Sequence, residues 1–73
     1  MIDKLSPVPF YIQLRDGIKR NVIEGVWKVG EQIPTENELM EKYEVSRATV
    51  RNAISSLVNE GFLVKQRGRG TFV

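Results

Sequence analysis

The sequence contains no cysteine and no histidine. Without thiols, neither a disulfide nor a thiolate metal site can support the fold, and the absence of cysteine fits a reducing compartment. With both residue types missing, nucleophilic, acid–base and metal chemistry lose their usual carriers. An enzyme is therefore the least expected class, and no cofactor or metal is implied. No apolar run approaches the length of a membrane span. The N-terminus also lacks the basic-then-apolar layout of a signal peptide, so the expectation is a soluble, cytoplasmic protein away from any membrane. Aromatic residues are few and scattered, at positions that packing already explains. A base-stacking surface for single strands or RNA would need several of them beside basic residues.

Acidic residues are also missing from one part of the chain. The net charge is only +2, but residues 46–73 hold Arg47, Arg51, Lys65, Arg67 and Arg69 against the lone Glu60. Residues 1–45 carry eight Asp/Glu against six Lys/Arg. Concentrating positive charge in one part of a small domain is the electrostatic footprint expected for a polyanion. The basic residues are not laid along one amphipathic helix with bulky apolar residues opposite, as an interfacial membrane anchor would require. Seventy-three residues suffice for one domain with a modest core.

The stretch from Val45 to Gly61 reads as a helix with defined ends. Ser46 is an N-cap candidate, whose hydroxyl can accept a backbone N–H left unpaired in the first turn. Gly61 supplies a left-handed stop. Val50, Ala53, Ile54, Leu57 and Val58 recur at helical spacing and form an apolar stripe. Arg47 and Arg51 lie one turn apart near the N-terminus, with Ser55 and Asn59 continuing the exposed side. A buried face with arginines at the exposed N-terminal end suits a helix that enters a DNA groove. The same pattern also fits a surface helix with two solvated arginines, so the flanking segments decide.

The lead-in to Val8 looks irregular. Pro9 suits the first helical position, where its missing N–H costs nothing. Tyr11, Leu14, Ile18 and Val22 then repeat at helical spacing, giving a first helix to about Glu24 with Gly25 as its stop. Gly17 in the middle costs on the order of 1 kcal/mol relative to Ala. It is either a tolerated defect or a site of close backbone approach. Residues 26–33 read as a turn-rich connection with a short strand near Gln32-Ile33, in which Trp27 is a core anchor or an edge cover. Thr35 as N-cap and Glu38 three residues later form a capping box, and Glu36 and Glu38 suit the positive end of a helix dipole. That accounts for the acidic cluster as helix initiation rather than acid–base chemistry. Leu39, Met40 and Tyr43 give this second helix its inner face. The tight turn Glu44-Val45 leads directly into Ser46, making a helix-turn-helix.

After Gly61, Phe62–Gln66 has strand composition, Arg67-Gly68-Arg69-Gly70 is a turn and Thr71–Val73 returns. This is a β-hairpin with a basic tip. As a nucleotide-binding loop the glycines are incomplete, with no following helix and no Lys-Ser/Thr pair. They serve an ordinary turn, and they also let backbone approach a groove while arginines meet phosphates or a narrow minor groove.

The runs Glu31–Leu39, Val45–Ala53 and Gly68–Val73, in this order and spacing, resemble the winged helix-turn-helix domain of GntR-family transcriptional repressors. The opening Pro7–Leu14 and the closing Gly-Arg-Gly-Thr-Phe-Val are most similar to the HutC-type branch. The resemblance covers Pro7 to Val73. It implies an α+β, mainly α fold of three helices and a C-terminal wing, binding double-stranded DNA at a palindromic operator, as a repressor and a homodimer. In the family, positions matching Ser46, Arg47, Thr49 and Arg51 contact the operator from the recognition helix, and those matching Arg67 and Gly68 reach the minor groove. Arg69 would flank that groove, with Lys65 adding diffuse attraction. Asn37 matches a position often occupied by a DNA-contacting Arg, and Ala48 lacks a hydroxyl some members carry. Members usually continue into a C-terminal domain that binds a small-molecule effector and makes the dimer. The expectation is therefore a single DNA-binding domain at 1–73, belonging to a longer protein or a short form of one. A winged-helix module that binds protein instead of DNA is the alternative, and an exposed apolar patch on the third helix would favour it.

Overall fold

The computed structural model describes residues 2–73 as three helices followed by one antiparallel hairpin: α1 (Phe10–Ile23), α2 (Glu36–Tyr43), α3 (Arg47–Asn59), β1 (Val64–Gln66) and β2 (Gly70–Phe72). α3 packs against both other helices, and its stripe supplies Val50, Ala53, Ile54 and Leu57 to the buried core. Leu14 and Ile18 of α1, Leu39 of α2, and Trp27, Ile33 and Leu63 from the connections complete that core together with Ile2. Trp27 is thus a core anchor. Ile2 is a residue the irregular lead-in did not advertise. The segment carrying it is fastened by Gln13, whose amide donates to the Asp3 and Val8 carbonyls while its oxygen accepts from the Asp3 N–H.

The helix ends follow local chemistry. Thr35 and Glu38 form the reciprocal capping box, at 2.9 and 3.2 Å. At the end of α3 the Gly61 N–H donates to the Val58 carbonyl and the Phe62 N–H to the Leu57 carbonyl. That pairing requires the positive φ of 85° at Gly61, as in a Schellman stop. α1 ends one residue earlier than the sequence suggests, with Glu24 as C-cap. Pro9 stands before the first helical residue rather than in it, since its ψ of 146° is extended and only its carbonyl joins the helix. Tyr11 of the helical row is exposed, while Leu14 and Ile18 are fully buried. Nothing lies near the position a Gly17 Cβ would take, so this glycine is a tolerated defect and not a close approach. The turn between α2 and α3 runs through Glu44 in the left-handed region, φ 54°, and the Lys4 ammonium donates to its carbonyl at 2.6 Å.

The wing is shorter than its composition implies. Phe62 and Leu63 precede β1, and Gly70 belongs to β2 rather than to the turn. Val64 pairs with Phe72, Lys65 with Thr71 and Gln66 with Gly70. The expected strand near 32–33 is a single bridge, Gln32 to Phe72. It is reinforced by Ile33 N–H to Thr71 carbonyl and Val73 N–H to Glu31 carbonyl, both at 2.9 Å. β2 is therefore held from both sides.

Candidate nucleic-acid interface

The exposed end of α3 is built outward from its cap. The Ser46 hydroxyl accepts the Thr49 N–H at 3.1 Å and donates to the Thr49 hydroxyl at 3.0 Å. Both polar functions of Ser46 are thus engaged locally, and half-buried Thr49 is fixed beneath the first turn. The remaining unpaired N–H groups of that turn face outward with the positive end of the helix dipole.

Arg47 and Arg51 do not stand free. The Arg47 Nη1 donates to Glu36 Oε1 at 3.0 Å, and its Nη2 donates to Asn37 Oδ1 at 2.7 Å. The Arg51 Nε donates to both Glu36 oxygens at 3.3 Å. One carboxylate on the first turn of α2 therefore gathers both guanidiniums of α3. Burial by itself would raise the Glu36 carboxyl. The hydrogen bonds from Arg47 and Arg51 and the charges of Arg51 and Lys65 outweigh it and hold Glu36 below its ordinary value, so it is ionised at neutral pH. Glu36 suits helix initiation, as its sequence position suggests, and it also organises the arginines. Residue spacing alone could not reveal this, because the partners lie 11 and 15 positions away and meet only through the helix-turn-helix.

The two arginines differ in what they keep available. Arg47 uses both terminal nitrogens on α2 groups. Arg51 uses only Nε, and its terminal Nη pair has no protein partner among the described residues. Its side chain is 61% exposed against 45% for Arg47. Asn37 is exposed, with its oxygen spent on Arg47.

On the wing, Arg67, Gly68 and Arg69 form the tip. The Arg69 N–H closes a turn on the Gln66 carbonyl at 2.9 Å, with Gly68 at φ 76° in the third turn position, where a positive φ favours glycine. Arg67, Gly68 and Arg69 are exposed, and neither arginine makes an ion pair among the described residues. Lys65 lies on the inner side, where it lines a cleft of about 350 Å³ with Glu36, Arg67 and Gly68. Gln32, which the sequence did not single out, braces the wing. Its amide donates to the Arg69 carbonyl at 3.0 Å and fills the space a Cβ on Gly70 would need. Among the described residues no group of His, Cys, Asp or Glu could hold a metal ion. No helix there is long and apolar enough to cross a membrane.

Residues 10–73 match the family model described as bacterial regulatory proteins, gntR family. The chain belongs to the GntR family. It is 51% identical over all 73 residues to the uncharacterised HTH-type transcriptional regulator YurK of Bacillus subtilis, covering 30% of that protein. It is 40% identical over 68 residues to the histidine utilization repressor of Klebsiella aerogenes, which covers 93% of this chain and 28% of the repressor. The second of these relatives is a HutC-like member of the family. The fold superposes on the AraR DNA-binding domain, solved in complex with operator ORX1, with a TM-score of 0.91 at 41% identity, over 100% of this chain and 90% of that one. The chain thus spans about three-tenths of the length of these two relatives. As in other GntR domains, the helix-turn-helix and the wing form a winged helix.

Proposed function

We propose that this domain is the operator-reading part of a transcriptional regulator, binding double-stranded DNA sequence-specifically as a repressor in the cytoplasm. α3 enters the major groove N-terminus first, with the Thr49 hydroxyl and the first-turn N–H groups, organised by the Ser46 cap, seated against a phosphate. Arg51 reads a guanine through its free Nη pair, a bidentate contact with O6 and N7. Arg47, steadied by Glu36 and Asn37, supports it and meets the backbone. Arg67 and Arg69 flank the minor groove across Gly68, and Lys65 adds attraction beside the cleft.

The observation that carries this reading is the Glu36 cluster. One carboxylate touches Arg47 and Arg51 and is lowered by the charge of Lys65, so the exposed end of α3 and the inner side of the wing lie within electrostatic reach of each other. The protein-binding alternative finds no support on α3, since none of the large exposed hydrophobic residues lies in that helix. We further propose that the whole regulator is a homodimer on a palindrome whose half-sites lie about 34 Å apart, or a multiple of that. A C-terminal domain would take the small-molecule effector.

Selection on random duplex tests the reading. The expected result is a recovered palindrome whose affinity falls steeply with salt as counterions are released. Recovery of no common sequence, or affinity indifferent to salt, would overturn it.

A further inference from the structure

The position of Glu36 has a functional cost that its structural role alone does not explain. A carboxylate at the centre of a surface meant for a polyanion weakens attraction to every phosphate. Helix initiation does not need it there, because the Thr35–Glu38 capping box already satisfies the end of α2. Yet Glu36 is placed on Arg47 at 3.0 Å and on Arg51 at 3.3 Å, and Asn37 completes the hold on Arg47. The Nη pair of Arg51 is the part of the cluster left unengaged by protein among the described residues.

We propose that Glu36 is a specificity-determining positioning residue, which aims the Arg51 Nη pair at a base edge and discounts the attraction of Arg47 and Arg51 for phosphate. This rests on the DNA-reading role assigned above to α3. Swinging either arginine onto an arbitrary phosphate strips Glu36 of a partner, so the new contact is offset by the lost one. A guanine edge accepts from the Nη pair while Nε stays on Glu36, so both contacts coexist. Holding the long side chain in one geometry before binding also removes part of the ordering entropy that binding would otherwise cost. Correct sequence is thus favoured by suppressing the incorrect.

Glu36→Gln removes the charge and keeps an acceptor. Its control is Glu38→Gln, which removes a carboxylate two residues away that touches Thr35 and no arginine and preserves a capping box, since Gln also serves there. Wild type and both variants are titrated against the duplex recovered by selection and a scrambled duplex, over a range of salt, with thermal melts to confirm folding. Glu36→Gln is expected to bind scrambled duplex about two- to thirtyfold more tightly, the range of two exposed ion pairs. Operator affinity changes less, and the operator-to-scrambled ratio falls. The salt slope on scrambled duplex steepens by about one. In the free protein, the Arg51 Nε–H exchanges with water faster than in wild type. Glu38→Gln leaves the ratio and the Arg51 signal unchanged. An unchanged ratio in Glu36→Gln, or an equal fall in Glu38→Gln, overturns the inference while wild-type discrimination keeps the DNA-reading role intact. Absence of discrimination by wild type itself would instead remove that role.

Discussion

The N-terminal end of α3 and the tip of the wing carry the same charge on unlike supports. α3 has four residues in the core, and its arginines are tied to Glu36 and Asn37. Neither strand of the wing contains a buried residue, and Arg67 and Arg69 make no ion pair among the described residues. The difference matches the tasks assigned to each region. Discriminating one base from another needs donors held within tenths of an ångström, which a packed helix with tethered side chains can provide. Following a sugar–phosphate path of variable width needs charge without fixed geometry, which a short hairpin can supply.

Leu57→Ala should disturb the molecule most. Leu57 is fully buried on the inner face of α3, and truncating it should lower stability by about 2–5 kcal/mol through lost burial and the cavity left behind. Urea denaturation would register this as a shifted midpoint. Arg51→Ala comes next and should reduce the preference for operator over scrambled duplex by about 1–3 kcal/mol, read by titration at fixed salt, with the melt little changed. Arg67→Ala should have a smaller effect of a different kind. It should weaken operator and scrambled duplex by the same factor and flatten the salt slope by about one. A wing variant that altered base preference would collapse the distinction between the two regions. The smallest effect falls outside both. Gly17→Ala should raise stability by about 0.5–1 kcal/mol, because the helix gains propensity and the new Cβ meets open space. DNA affinity should not move.

Much of the fold was legible because local signals agreed with one another. The Thr35–Glu38 box, the Ser46 cap, the Gly61 stop and the stripe on α3 each name their own role in a few neighbouring residues. What escaped was what depends on distant partners. Ile2 sits in a segment without periodicity, and it is buried because Gln13 fastens the lead-in over the core. Gln32 reads as a strand residue, and only the folded wing brings its amide to Arg69 and Gly70. For the candidate site, the residue types and the two elements bearing them were readable. The division of labour proposed for Arg47 and Arg51 was not, since it turns on Glu36, a residue whose local role in helix initiation was already a sufficient account of it.

The central assignment is that Arg51 reads a base while the wing follows the backbone. Methylation interference tests it most directly, because guanine N7 lies in the major groove and adenine N3 in the minor groove. Wild-type protein should be blocked by methylation at one particular guanine in each half-site. For Arg51→Ala that block should disappear, while interference from adenines in the minor groove, along which the wing is proposed to lie, should persist. If the same guanine still interferes with Arg51→Ala, another residue makes the contact and the assignment is contradicted.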